Sequence, residues 1–273
     1  MTETESIDKY ICDHMEPEGD YLYRLYRATN IHTIHGRMAS GHIQGRLLKM
    51  LVEMIRPQNI LEVGTFSGYS AICLAEGLQE GGKLYTFEIN DEMEDFTRPW
   101  IEGSSVADKI DFRIGDANVE APKLGVMFDM AFVDGDKRTY IETYEMVMSV
   151  LKPGGYILAD NTLWDGHVID PAYDRDQQTQ GIRKFIPTRN VRSSHPEAAT
   201  FTMTGPAPAA PTPLAGAPLR LPTAWLRHIT SFRRITAAAL TADVTGQRRN
   251  GSNMRDSFPT TPQTTAICVL RQW

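Results

Sequence analysis

Asp134, Lys137, Asp160 and Asn161 are the residues of this 273-residue chain whose types and spacing most directly suggest chemistry. Asp134 follows the apolar run Phe128-Asp-Met-Ala-Phe-Val133, and Asp160-Asn161 follows Tyr156-Ile-Leu-Ala159. Two carboxylates and an amide oxygen form a hard, oxygen-only donor set that suits Mg2+. The competing reading is that Asp160-Asn161 caps a turn, as Asx residues often do. Lys137 lies three residues past Asp134, where it can face the same rim. Beside a divalent cation its ammonium form is disfavoured, so its pKa is expected to fall toward that of a usable base. Otherwise it is a solvated loop lysine, as Arg138 is expected to be.

A second chemical signal is Ile60-Leu-Glu-Val-Gly-Thr-Phe-Ser-Gly-Tyr-Ser70. Ile60 to Val63 reads as a buried strand, Gly64 and Gly68 as a tight turn, and Tyr69 to Leu78 as a helix. Such a corner brings backbone N–H groups and a helix N-terminus to the end of a sheet, which suits the polar end of a nucleotide-like cofactor. Phe66 stands where a dinucleotide fingerprint would carry a second glycine. Glu88 closes the run Lys83-Leu-Tyr-Thr-Phe-Glu88 and is placed to accept hydrogen bonds from ribose hydroxyls, or else is a solvated strand-end carboxylate. Asp116, in Gly115-Asp116-Ala117, could receive an adenine amine or form an Asx turn. Trp164 could wall an aromatic acceptor or pack in the core. Cys73, Met50 and Met54 read as core, and His32, His35 and His42 match no metal spacing.

These residues need elements to position them. Residues 6–15, 21–28 and 41–55 read as N-terminal helices, with Asp20 as an N-cap and Ile43, Leu47, Leu48, Leu51 and Ile55 at helical spacing. Strands are expected at 60–63, 83–88, 110–114, 128–133 and 156–159. Helices are expected at 91–102 (with Pro99 late in it) and 139–151, the latter ended by Lys152-Pro-Gly-Gly155. Five strands with intervening helices imply a doubly wound, mostly parallel α/β sheet, whose ligands lie beyond the carboxyl ends of the strands. Every polar residue named above falls at such an end.

The remaining composition bounds the class. No run approaches the ~20 apolar residues of a membrane span, and the acidic N-terminus has no apolar stretch of a secretory signal. Cys12, Cys73 and Cys268 are too scattered for a disulfide framework or a zinc site. The expectation is a soluble, cytoplasmic protein with no membrane partner. Residues 1–186 hold 31 acids against 18 bases; residues 187–273 hold three acids (Glu197, Asp243 and Asp256), ten arginines and no lysine, with 10 of the 16 prolines. This shift divides an α/β domain (N-terminal helices 1–56, core 57–186) from a Pro/Ala/Arg-rich segment, 187–273.

With these residues in place, the chain resembles the cation-dependent O-methyltransferases that use S-adenosylmethionine, the catechol and caffeoyl-coenzyme A group and its bacterial branch. The matching pieces are Ser40-Gly-His-Ile-Gln-Gly-Arg-Leu-Leu48, Ile60 to Ser70, Gly82 to Glu88, Ala107 to Ala117, Phe132 to Lys137 and Leu151 to Trp164, in order over roughly residues 30–185. The phenylalanine in the glycine turn is usual in that group. The resemblance implies a Rossmann-like methyltransferase fold. It places Met38 and Ser40 near the methionine part of the cofactor, with Glu62, Gly64 and Ser70 around its amino-acid end. Glu88 would hold the ribose, and Asp116 and Ala117 would flank the adenine. Asp134, also facing the cofactor, would bind the metal with Asp160 and Asn161. Lys137 would be the base, and Trp164 and Asp165 would meet the acceptor. It also implies a homodimer.

The resemblance ends near Phe185. The group's sheet normally finishes with a helix, which Gln177 to Phe185 would begin, and two further strands, one antiparallel. Residues 187–273 show no clear strand pair and read as foreign or disordered sequence, or as a basic interaction tail. Three functions follow as expectations: methyl transfer to a hydroxyl of a catechol-like small molecule, methyl transfer to a hydroxyuridine of tRNA, or cofactor binding without turnover because the closing strands are missing.

Overall fold

In the computed structural model the structure describes residues 3–192, 200–202 and 266–269. Three N-terminal helices come first: α1 (Glu3–Asp13), α2 (Asp20–His32) and α3 (Gly41–Ile55). Strands and helices then alternate as β1 (Asn59–Val63), α4 (Tyr69–Gly77), β2 (Lys83–Glu88), α5 (Glu94–Glu102), β3 (Ile110–Ile114), α6 (Ala117–Glu120), β4 (Phe128–Val133), α7 (Tyr140–Val150), β5 (Leu151–Ala159) and α8 (Gln177–Arg192). Two short strands follow, β6 (Thr200–Thr202) and β7 (Ala266–Val269). The sheet order is β3-β2-β1-β4-β5-β7-β6, and every pairing is parallel. The order reverses between β1 and β4, so the chain winds over both faces of the sheet.

Strand periodicity sorts the core into two layers. Ile60, Met130, Phe132 and Leu158 face one side and pack with Leu22, Leu25, Leu48, Val52 and Ile72 of the helices there. Leu61, Val63, Ala131, Val133 and Ile157 face the other, with Tyr140, Tyr144, Val147 and Phe185. Leu48 and Val52, four residues apart on α3, are each wholly buried, worth about 1.5–3 kcal/mol apiece. Met50 and Met54, expected in the core, are instead 36% and 53% exposed. They lie off the Leu48/Val52 stripe, on the outward side of α3.

Several boundaries differ from expectation. Gly19, not Asp20, caps α2, with no side-chain cap hydrogen bond. The helix expected from Asp91 opens as a 3-10 turn, Asp91–Met93, before α5, which accommodates Pro99. Pro153-Gly-Gly155, read as a turn, lies inside β5: Gly154 takes φ 81° and the register with β4 slips between Phe128 and Met130. A glycine in the left-handed region absorbs such a bulge without a Cβ penalty.

The expectation of no strand pair after residue 187 is corrected by β6 and β7, with β7 pairing Tyr156 to Ala159 of β5. Neither ladder is antiparallel. Three- and four-residue strands inside Pro/Ala/Thr-rich sequence are too short to show a period. Beyond the end of α8 at Arg192, the rest of the Arg-rich segment, including residues 208–261, lies outside the described residues. Among the described residues no helix is long and apolar enough to cross a membrane.

Candidate active site

The carboxyl-end rim is extended by one further ladder hydrogen bond past four strands, β3, β1, β4 and β5. Gly115 N–H donates to Glu88 O (2.8 Å), Gly64 N–H to Phe87 O (3.0 Å), Asp134 N–H to Val63 O (2.9 Å) and Asp160 N–H to Val133 O (3.0 Å). Asp134 and Asp160 therefore hang from the neighbouring strands by their backbones. Gly64, at φ 99°, lies so close to the next tip that a Cβ there would meet Asp134 O at 2.7 Å. Glycine is required at that position on both grounds.

At the β4 and β5 tips the predicted constellation comes together. Lys137 Nζ donates to Asp134 Oδ1 at 2.7 Å and stands 4.8 Å from the centre of the Tyr140 ring. Asp160 is buried; its Oδ1 accepts Asn161 N–H at 2.7 Å and its Oδ2 accepts Gln44 Nε2 at 2.8 Å. Burial and the charge of Asp134 push the Asp160 carboxyl up from its ordinary range. Asn161 is buried beside it in the left-handed region, φ 53°. Lys137 is not a solvated loop lysine: it is 4% exposed. Burial pulls its pKa down, but Asp134, Tyr140 and Asp160 together outweigh burial and hold the amine above the ordinary lysine value. The expected fall was tied to a bound divalent cation; in this structure the Asp134 carboxylate that could hold one holds the ammonium. Arg138 is exposed, as expected, and is paired with Asp136.

The arrangement suits a divalent cation. Among the described residues no three His, Cys, Asp or Glu gather at one point, so the set rests on two carboxylates completed by an amide. Asp134 and Asp160 are near enough that one raises the other, and a hard cation would relieve that repulsion.

Along the β1 and β2 tips, Glu88 accepts N–H groups from Phe66 (2.7 Å) and Asn90 (2.9 Å), one on each oxygen. Each oxygen keeps a lone pair for a ligand hydroxyl. Asp116 caps α6, accepting Asn118 N–H at 2.9 Å, and buried Ala117 follows it. The turn-forming reading of Asp116 therefore holds, without excluding a contact from its second oxygen. Met38, in a 3-10 turn, is 49% exposed, and Ser40 precedes α3 without making a side-chain cap bond.

Glu62 is the exception. Its parity in β1 matches Ile60, so it points beneath α4 and not onto the rim. It is wholly buried, its oxygens taken by Ser70 Oγ (2.6 Å) and Thr86 Oγ1 (2.5 Å). Glu62 and the Ser70 hydroxyl thus bond each other inside the wall of the site. Burial pushes the Glu62 carboxyl up to about 8, against the two hydroxyl hydrogen bonds, from an ordinary 4.5. A raised acid stabilises the fold below its unfolded pKa and loses that contribution as pH rises through the folded value. Glu62→Gln should therefore gain on the wild type between pH 5 and pH 8, by on the order of a few kcal/mol. Urea unfolding of both proteins at the two pH values checks this; parallel pH dependence would contradict it.

Trp164 and Asp165 follow on a loop of two successive left-handed residues, φ 46° and 51°. Trp164 is half-buried and Asp165 exposed. Trp164 meets His167 edge-on, and His167 stacks on Tyr173 at 3.5 Å. Phe66 is likewise left-handed, φ 48°. Four non-glycine residues in this disfavoured region thus lie at the rim, where strain tends to collect when geometry serves a ligand.

Sequence reasoning missed three supports. Tyr140 hydroxyl lies 2.8 Å from Asp160 O and 3.1 Å from Val133 O, tying the β4 and β5 tips together. Gln178 Oε1 accepts Lys137 N–H at 3.0 Å. Arg183 donates to the carbonyls of His167, Val168 and Asp170 and so fastens the Trp164 loop to α8. Each acts across turns or elements that no local spacing reports.

The sheet order, the glycine turn and the acid-lined rim define a Rossmann-like methyltransferase domain. The chain belongs to the O-methyltransferase family, whose model matches residues 13–191. Caffeoyl-CoA O-methyltransferase 1 of Eucalyptus globulus is 39% identical over 140 residues, covering 49% of this chain and 56% of that protein. The chain thus spans a little over half the length of several of the curated relatives it matches. The O-methyltransferase TomG of Streptomyces achromogenes, involved in tomaymycin synthesis and crystallised with SAM, aligns at 30% identity and TM-score 0.65, covering 71% of this chain and 89% of that one. An O-methyltransferase from Bacillus cereus, crystallised with SAH, aligns at 30% identity and TM-score 0.62, covering 68% and 86%.

Proposed function

We propose that the protein transfers the methyl group of S-adenosylmethionine to a hydroxyl of a catechol-like small molecule, with a divalent cation, Mg2+, as its helper. The observation that carries this reading is the Lys137 amine 2.7 Å from Asp134 and beside buried Asp160, on the same rim as Glu88. The family supports transfer to oxygen, and the SAM and SAH of the two structural relatives support the donor.

Glu88 accepts the ribose hydroxyls on the lone pairs that Phe66 and Asn90 leave free. Asp116 and Ala117 border the adenine; Gly64, Met38 and Ser40 border the methionine end, with Asp134 facing it. Asp134, Asp160 and Asn161 hold the cation, which when bound supplies positive charge that makes an acceptor hydroxyl more acidic. Once the charge of its two carboxylates is otherwise answered, the Lys137 ammonium gives up a proton to solvent, and the neutral Nζ then takes the hydroxyl proton. The acceptor oxygen then uses its lone pair to form the bond to the methyl carbon as the sulfur–carbon bond breaks, its electrons remaining on sulfur as the thioether. Trp164 and Asp165 wall the acceptor, and holding oxygen and methyl in line supplies much of the acceleration.

Transfer of labelled methyl from S-adenosylmethionine to a panel of vicinal diphenols, beside bulk tRNA, tests the acceptor class. Label in the diphenols supports the reading; label in tRNA alone overturns it in favour of the hydroxyuridine substrate. Glu88→Gln should weaken S-adenosylmethionine binding about 10–100-fold, the value of a hydrogen bond to a charged group. Calorimetric affinities within twofold of each other would contradict the ribose contact.

A further inference from the structure

The geometry points to Gln44 as a positioning residue that orients Asp160 for cation binding. This rests on the reading of Asp134, Asp160 and Asn161 as the cation site. Gln44 lies in the first turn of α3, and its side chain is 2% exposed. Its Nε2 donates to Asp160 Oδ2 at 2.8 Å, across 116 residues of sequence. Asn161 N–H holds the other oxygen at 2.7 Å. The two donors fix the carboxylate plane and leave each oxygen one lone pair for the site. A partner that orients a ligand in this way sets metal affinity nearly as strongly as the ligand itself.

Two further observations support a built position. The neighbour of Gln44, Gly45, packs so closely on α4 that a Cβ would meet Cys73 Sγ at 2.7 Å and the Tyr69 ring at 2.8 Å. That close approach sets how far Gln44 reaches toward β5. The other end of the same amide, Oε1, is buried and has no hydrogen-bond partner among the described residues. An orphaned buried acceptor is costly, and a ligand-borne O–H donor, such as a cation-bound water or the acceptor hydroxyl, would satisfy it.

Titration calorimetry with Mg2+ on the full chain tests the assignment, using Gln44→Met, which keeps the length and loses the amide. The expected result is cation affinity about 10–100-fold weaker, S-adenosylmethionine affinity within about twofold of wild type, and methyl transfer recovered at high Mg2+. Gln44→Asn, which keeps a shorter amide, should weaken the cation in the same way and serves if the methionine variant does not fold. Wild-type cation affinity in both variants would overturn the proposal, as would an equal loss of cation and cofactor affinity. Absence of Mg2+ binding by the wild type would instead overturn the underlying cation site, and the proposal with it.

Discussion

Asp160→Asn is expected to lower methyl transfer about a thousand-fold, the several kcal/mol that a bound cation lends to the developing oxyanion. The substitution keeps the side-chain volume and removes one of the two charges that converge at the β4 and β5 tips. In the cation-free protein burial and Asp134 already push the Asp160 carboxyl up, so its charge is a cost to the fold. Stability should accordingly move in the opposite direction to activity: without cation at pH 8, the variant should unfold at the wild-type temperature or above it. Initial rates at saturating Mg2+ and thermal unfolding of the same samples give both readings. Retention of wild-type rate, or a loss of rate matched by a loss of folded protein, would contradict the role given to Asp160.

Lys137→Met should reduce kcat about 10²–10⁴-fold, the usual range for removal of a general base. Lys137→Arg is the sharper experiment. Arginine keeps the positive charge beside Asp134 and Asp160, yet its guanidinium does not give up its proton in proteins. If Lys137 serves as the base, the arginine variant should be as slow as the methionine variant while still binding S-adenosylmethionine. If it serves only as a counter-charge, arginine should restore much of the activity. Because the amine is held above its ordinary pKa in the cation-free protein, a base role further requires that the rate in wild type respond steeply to the cation. A pH–rate profile at two Mg2+ concentrations reads this out.

Most of the rim was legible in the sequence because it obeys a local rule: an apolar run of four to six residues, then a glycine or an acid. Gly64, Asp134 and Asp160 follow that rule, while Glu88 and Asp116 close the less apolar runs of β2 and β3; all lie at or just past strand tips. Glu62 looked similar but lies one residue inside the strand, and the period of two turns it under α4. Gln44 was invisible because its partner is 116 residues away and a helix face gives no sign of what touches it. The left-handed Asn161 and Asp165 agree with Asx tolerance of that region, whereas nothing about Phe66 or Trp164 signals it. The direct pairing of Lys137 with Asp134 was not foreseen, because the carboxylates read as cation ligands are also the lysine's neighbours. The β6 and β7 strands escaped notice because three or four residues cannot carry a period.

Metal-assisted methyl transfer is the central claim, and its most direct test is product formation from S-adenosylmethionine and a vicinal diphenol, first with Mg2+ and then with a chelator. Product that disappears with chelator and returns with added Mg2+ is the predicted result. Equal product in both conditions would contradict the cation's role at Asp134, Asp160 and Asn161.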